Sequence, residues 1–160
     1  MFYSLTFYKK SISGSVYIRN TWDNWHLIPS SRTDISYPAR TFNYVDIPGR
    51  DGALDITDYL SGKPNLSDRT GTWEFIVVSE YEGETVDSRP WISRKKEVSD
   101  FLDGSVIRVV MEDLPGYYYE GRIYTEPNFW KTGQSFSTIT ISYRLKPYKY
   151  DIETGKEAGL

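Results

Sequence analysis

Between Thr138 and Leu145 the chain alternates strictly. Ile139, Ile141, Tyr143 and Leu145 are apolar, and Thr138, Thr140, Ser142 and Arg144 are polar. Successive side chains of a strand point to opposite faces, so this period of two specifies a strand with one buried and one solvated face. A helix would scatter the same residues around its circumference. The pattern recurs over residues 3–8 (Tyr-Ser-Leu-Thr-Phe-Tyr) and over 73–79, where Trp73, Phe75 and Val77 share a face. Three such segments commit the chain to a sheet with a core on one side.

The remaining segments fill in around that sheet. Residues 15–19 are expected to return from 3–8 through a turn at 9–14, forming an N-terminal hairpin. Residues 22–28, if extended, put Trp22, Asn24 and His26 on one face and Asp23, Trp25 and Leu27 on the other, and a tryptophan on each face implies that both are covered. Further strands are expected at 40–47, 106–112, 117–124 and 135–145. The apolar run in 106–112 reads as buried on both faces, and Tyr117, Tyr119 and Ile123 share one face of their strand. Residues 30–38, 62–68 and 80–89 read as loops, and 54–60 as a short strand or a helical turn.

One helix is expected, near residues 90–103. Pro90 suits a first turn, where its missing N–H costs nothing. Trp91, Val98, Phe101 and Leu102 form one stripe, Arg94, Lys95, Lys96 and Glu97 fall on the solvent side, and Gly104 suits a left-handed terminator. The fold class is therefore mainly β, a β-sandwich or split barrel with one α-helix. The domain covers 1–150, and the charged, small-residue segment 151–160 is expected to be a flexible, frayed tail.

Composition narrows the function classes. The 160 residues contain no cysteine, which removes disulfides and thiolate metal sites. The N-terminus does not have the order of a signal peptide, and no apolar run is long enough for a membrane helix. Aromatic residues make up 16% of the chain and 14 of them are tyrosine, a composition suited to sheets and interfaces. Residues 1–40 carry five basic and two acidic side chains (+3), whereas residues 41–120 carry eight and sixteen (−8). So acidic a middle argues against a surface that grips nucleic-acid phosphates.

No pattern for chemistry emerges. His26 is the single histidine, without a second histidine or paired carboxylate at metal-ligand spacing. A triad with Ser30 or Ser31 and Asp34 lacks a nucleophile elbow and an oxyanion hole. Glu112, Asp113 and Glu120 flank a tyrosine run, but read as turn and strand-edge charges rather than as a glycosidase pair. Asp46, Asp51 and Asp55 do not have calcium-loop spacing and read as turn formers. Arg94-Lys95-Lys96 is too short for a nucleic-acid patch. No catalytic residue, cofactor or metal is expected.

Two stretches, Asn20-Thr-Trp-Asp-Asn-Trp-His-Leu-Ile-Pro-Ser-Ser-Arg32 and Asn43-Tyr-Val-Asp-Ile-Pro-Gly49, are followed by Asp51-Gly-Ala-Leu-Asp55 and Arg69-Thr-Gly-Thr-Trp-Glu-Phe75. Then come Phe101-Leu-Asp-Gly104, Glu112-Asp113 through Tyr117-Tyr-Tyr-Glu-Gly-Arg122, and Pro147-Tyr-Lys-Tyr150. In this order and spacing, over residues 1–150, they resemble the N-terminal domain of the distal tail protein family of long-tailed bacteriophages and prophages of Gram-positive bacteria.

The resemblance implies a structural tail-tip or baseplate hub protein. It would be a homohexameric ring in the virion, made in the bacterial cytoplasm, joining the tail-tube protein to tip or receptor-binding proteins. It also implies a lumen that passes DNA without sequence-specific binding, no membrane contact and no catalytic residues. Longer members add an outward C-terminal domain, and this sequence ends soon after Tyr150. The residues marked out as organising the core and one contact edge are Trp22, Trp25, Tyr44, Pro48, Gly49, Asp51 and Gly52. A carbohydrate-binding β-sandwich using the tyrosines at 117–119, and a small hydrolase built on His26 or Glu112, are the alternatives.

Overall fold

A computed structural model describes residues 3–126 and 137–160. In chain order the strands are β1 (Leu5–Lys10), β2 (Val16–Asn20), β3 (Leu27–Pro29), β4 (Arg40–Thr41), β5 (Tyr44–Val45), β6 (Leu54–Asp55) and β7 (Asn65–Leu66). They continue as β8 (Arg69–Val77), β9 (Glu80–Tyr81) and β10 (Glu84–Thr85), then the helix α1 (Trp91–Phe101), then β11 (Asp103–Met111), β12 (Tyr117–Thr125), β13 (Ser137–Leu145) and β14 (Tyr150–Asp151). Residues 135 and 136 of the expected strand at 135–145 lie outside the described residues.

The main sheet runs β2-β1-β11-β12-β13-β8-β3, with β14 added on β12, and every pairing is antiparallel. It curls into a half-barrel, so the fold is mainly β with one helix, as the alternation implies. Residues 21–26 join its two edge strands, and Thr21 ties that seam. Its N–H donates to the Leu5 carbonyl at 3.0 Å, its Oγ1 accepts from the Leu5 N–H at 3.0 Å, and its carbonyl accepts from the Leu27 N–H at 2.8 Å. The threonine is fully buried, so those partners satisfy polar groups that water cannot reach.

The core fills the concave side. Leu5, Phe7, Trp73, Phe75, Ile107, Val109, Ile123, Ile139, Ile141, Tyr143 and Leu145 come from the strands, and Val98 and Leu102 come from the helix end of the barrel. All four apolar residues of the 138–145 alternation are buried, which sets the face of every neighbouring strand by register. Pro90 precedes the first helical residue, and Gly104, with φ +87°, adopts the left-handed backbone just past the helix.

Several expectations need correction. Residues 22–28 are not one strand. Asn20 Oδ1 accepts from the N–H groups of Trp22 (2.8 Å) and Asp23 (3.1 Å), and Asn24 Oδ1 accepts from the Asn20 N–H (2.7 Å). Such asparagine bonds compete with a ladder, so 21–25 turns and only Leu27–Pro29 pairs. The strand at 40–47 breaks into β4 and β5, outside the main sheet. The strand β11 is covered mainly on one face, with Ile107 and Val109 buried but Val106 and Arg108 exposed. Arg94 is buried rather than solvated. The segment from 151 is hydrogen-bonded rather than frayed: Lys149 donates to the Gly159 carbonyl, Ala158 donates to the Lys149 carbonyl, and Tyr150 bridges to Glu157.

Candidate functional site

The feature that stands apart from the core is an arm between Ser36 and Arg69. Its root is pinned. Arg69 is buried, donating from Nη1 to the Ser36 carbonyl (2.8 Å) and from Nε to the Pro147 carbonyl (2.9 Å). The guanidinium also lies against the rings of Tyr119 and Tyr37, at 5.1 and 5.6 Å, a cation–π arrangement. Ser36 donates its N–H to the Tyr143 hydroxyl (3.0 Å) and its hydroxyl to the Thr70 carbonyl (2.8 Å).

Beyond that root the chain leaves the sheet. The strand β4 pairs only with β7, and β5 only with β6, so the arm is a two-rung hairpin. Asn43 and Thr57 lock the second rung through a 2.9 Å bond from the Asn43 N–H to Thr57 Oγ1. The tip turns at Gly49 (φ +79°) and Gly52 (φ +75°), backbone conformations that favour glycine. Every residue from 41 to 63 is exposed except Thr57.

What the arm exposes is unusual for a solvated loop. Tyr37, Phe42, Tyr44, Val45, Ile47, Leu54, Ile56, Tyr59 and Leu60 are nine of the nineteen large hydrophobic side chains exposed among the described residues. Tyr59 is 86% and Leu60 95% exposed. Scattered single apolar residues need no explanation, but a contiguous set on one projection marks a contact surface. Residues 41–60 also carry Asp46, Asp51, Asp55 and Asp58 against Arg50, a net charge of −3.

The seven residues marked out from the sequence divide between two places. Trp25 is fully buried, with Phe101 at 5.6 Å edge-on and Phe7 at 6.2 Å. Trp22 is half-buried, edge-on to His26 (5.4 Å) and Tyr81 (5.7 Å). Tyr44, Pro48, Gly49, Asp51 and Gly52 all lie on the exposed arm and contribute nothing to the core cluster.

A buried ionic cluster escaped the sequence reading. Asp87 Oδ2 lies 2.9 Å from His26 Nδ1, 2.7 Å from Arg89 Nη2 and 3.8 Å from Arg94 Nε. Arg89 also donates to Glu97 (2.6 Å) and to the Asn24 carbonyl (2.8 Å), and Arg94 to the Val78 carbonyl (2.5 Å) and Ser79 Oγ (2.7 Å). Burial alone would raise the Asp87 carboxyl, but hydrogen bonds from Arg89 and His26 and the charge of Arg94 hold it well below the usual carboxylate range. Burial lowers the Arg94 guanidinium against the pull of Asp87. The signal available in sequence was Asp87-Ser-Arg89 with Arg94 one helical turn inside α1, on the Val98 side. Among the described residues no hydroxyl hydrogen-bonds to His26, so the cluster orients an imidazole without presenting a nucleophile. It ties the 21–26 turn, the 78–89 loop and the helix together.

The other candidates are occupied by structural partners. Glu112 accepts from the Ser4 N–H (2.8 Å), Asp113 pairs with Arg32 (2.8 Å), and Glu120 sits between Arg108 (3.0 Å) and Lys146 (2.8 Å). Although burial opposes it, those two cations lower the Glu120 carboxyl. Tyr118 is stacked on Tyr150 at 5.4 Å with Arg108 at 4.7 Å from its ring, Tyr119 lies under Arg69, and Tyr117 faces Lys149 at 5.2 Å. Each ring of the tyrosine run therefore has a partner within the chain. Asp55 accepts from the Thr57 N–H at 2.9 Å, a turn bond. Among the described residues no group of three or more His, Cys, Asp or Glu is placed to hold a metal ion, and no helix is long and apolar enough to cross a membrane.

No family model matches the sequence, and no curated protein matches it. The backbone is similar to a crystal structure described as that of "SPP1 Dit (gp 19.1) Protein, a Paradigm of Hub Adsorption Apparatus in Gram-positive Infecting Phages". The TM-score is 0.57 at 18% identity, over 92% of this chain and 52% of that one. The fold is Dit-like. The chain spans about half the length of that protein.

Proposed function

We propose that this chain is a structural hub protein of a bacteriophage or prophage tail, assembling as a hexameric ring between the tail tube and the tip or receptor-binding apparatus. The observation that carries the reading is the arm: a Dit-like domain with a self-contained core that nonetheless projects nine large apolar side chains into solvent. A core gains nothing from such a projection, whereas burial against a neighbour recovers about 25 cal/mol for each Å² of apolar surface. A closed ring needs two different patches that face each other around it, and an arm on one side of each subunit supplies one of them. Its partners on this reading are copies of itself, the tail-tube protein and tip proteins, and its place is the virion.

Light scattering across a concentration series, with negative-stain imaging of the same samples, tests the reading. Six-membered rings are expected, alone or on mixing with the tail-tube protein. A strict monomer under both conditions would overturn it.

A further inference from the structure

The arm needs a receiving surface, and the outer face of the sheet near its β2 edge has the matching properties. Side chains of β1, β2, β11 and β12 enclose a cleft of about 670 Å³ there, lined by Tyr8, Lys10, Val16, Val106, Arg108 and Ile152 among others. Val16, Val106 and Ile152 are about half exposed, so among the described residues the cleft presents uncovered apolar surface. Beside it, β2 is an edge strand with one side unpaired and with Val16, Tyr17 and Ile18 exposed in a row. An open apolar edge of this kind invites pairing with another chain.

Charge distinguishes this surface as the complement of the arm. On this face β1 presents Lys10 and β11 presents Arg108, whereas Lys9 and Arg19 lie over the Phe101 ring on the opposite face, where Lys9 pairs with Asp103. Glu120, the acidic residue in the cleft, is held between Arg108 and Lys146, two cations to one carboxylate. The tip of the arm, residues 41–60, carries −3. The two surfaces belong to opposite sides of the sheet order: the arm springs from β8, next to the β3 edge, and the cleft lies at the β2 edge.

We propose that the apolar, acidic arm of one copy of this chain docks on the apolar, basic outer face of β1, β2 and β11 of the next copy. The claim rests on the oligomeric reading above and adds which two surfaces meet. In a closed ring the same arm-to-face contact repeats from each copy to the next, a heterologous interface. Opposite charges fix the register and favour the correct encounter.

A charge-swap experiment tests it. One variant reverses the arm (Asp46→Lys, Asp51→Lys, Asp58→Lys), another reverses the face (Lys10→Glu, Arg108→Glu), and a third carries both sets. All these side chains are exposed, and circular dichroism with thermal melting checks that each variant folds. Each single set is expected to raise the concentration for half-assembly by at least about tenfold at low salt, and the combined set to bring it back to near the wild-type value. In the wild-type chain, a photo-crosslinking residue at position 59 should capture peptides from 5–18 or 103–111 of the neighbouring copy.

Rings that survive both single sets, or crosslinks that map to another surface, would overturn this pairing while leaving the hub reading intact. A wild-type chain that stays monomeric with and without the tail-tube protein would remove both. A combined variant no better than the single ones would also count against the pairing, because charge complementarity predicts rescue.

Discussion

His26 Nδ1 lies 2.9 Å from Asp87 Oδ2, across sixty-one positions of sequence. The carboxylate is almost wholly buried and also holds Arg89 and Arg94, so one aspartate bridges groups from three segments. Removing one partner of such a cluster costs more than the cluster itself contributes, because the remaining charges stay desolvated without a counter-ion. Asp87→Asn is expected to destabilise the fold by about 3 kcal/mol, measured by urea unfolding. Lys96→Ala, which breaks an exposed pair with Asp100 one helical turn away, should leave the unfolding midpoint unmoved.

Carboxyls lowered on folding shape the response to acid. Asp87 and Asp103 both have carboxyls lowered below the ordinary value of 3.8 in the folded state. For Asp103, burial pushes upward, but bonds from Ser105 and Lys9 prevail and bring it to about 2. A group lowered on folding binds fewer protons folded than unfolded. Its contribution is therefore complete above the unfolded value and is lost as pH falls toward the folded one. Unfolding free energy from these two groups should be flat from neutral pH down to about 5 and fall steadily from about 4 to 2. Asp103→Asn should make that fall shallower. A slope unchanged by the substitution would show that Asp103 takes no part in it.

Gly71 faces Tyr143 across the β8–β13 ladder, and a methyl group there would sit 2.7 Å from Tyr143 Cζ. Tyr143 is not free to give way. Its ring is stacked on Trp73 with centroids 4.3 Å apart, and its hydroxyl receives the Ser36 N–H at the root of the arm. Gly71→Ala is expected to cost about 2 kcal/mol by overpacking and to change the Trp73 emission. Gly121→Ala should be worse, because the added carbon would meet backbone, 2.6 Å from Leu145 Cα, which has no rotamer to change. Little soluble protein is expected from it.

Much of the sheet was legible because a period of two is a local signal. Ile139 through Leu145 face inward as their spacing requires, and register then carries that face to β8 and β12. What misled was the competition between local bonds and ladders. In 20–28 the aromatic and apolar residues favour a strand, but Asn20 and Asn24 close a turn on the backbone first. In 40–47 the β-prone residues do pair, though only with β7 and β6 of the arm and not with the main sheet, since nothing in the sequence says which sheet a strand joins. Arg94 reads with Lys95, Lys96 and Glu97 as the solvent side of the helix, although it lies one turn before the buried Val98. The burial of Arg94 depends on Asp87, whose approach no helical periodicity reveals. The candidate surface was half visible: Tyr44 and the Pro48–Gly52 turn were marked, but their place on a projecting arm rather than in the core follows from tertiary structure alone.

The arm makes a last prediction that separates folding from assembly. Thr41 pairs with Asn65, so residues 42–64 can be replaced by Asn-Gly, which suits a two-residue hairpin turn at that pair. Of the residues removed, all but Thr57 and Pro64 are open to solvent, and none belongs to the core cluster. The shortened chain should therefore keep its melting temperature, or gain stability of about 1 kcal/mol from the smaller loop-closure cost. Its solution mass should be that of a monomer at every concentration, and its solubility should rise with the loss of the exposed apolar set. A melting temperature that drops by many degrees would mean that the arm serves the fold. Unchanged stability with lost assembly would mean that Tyr44, Tyr59, Leu60 and their neighbours are there for another molecule.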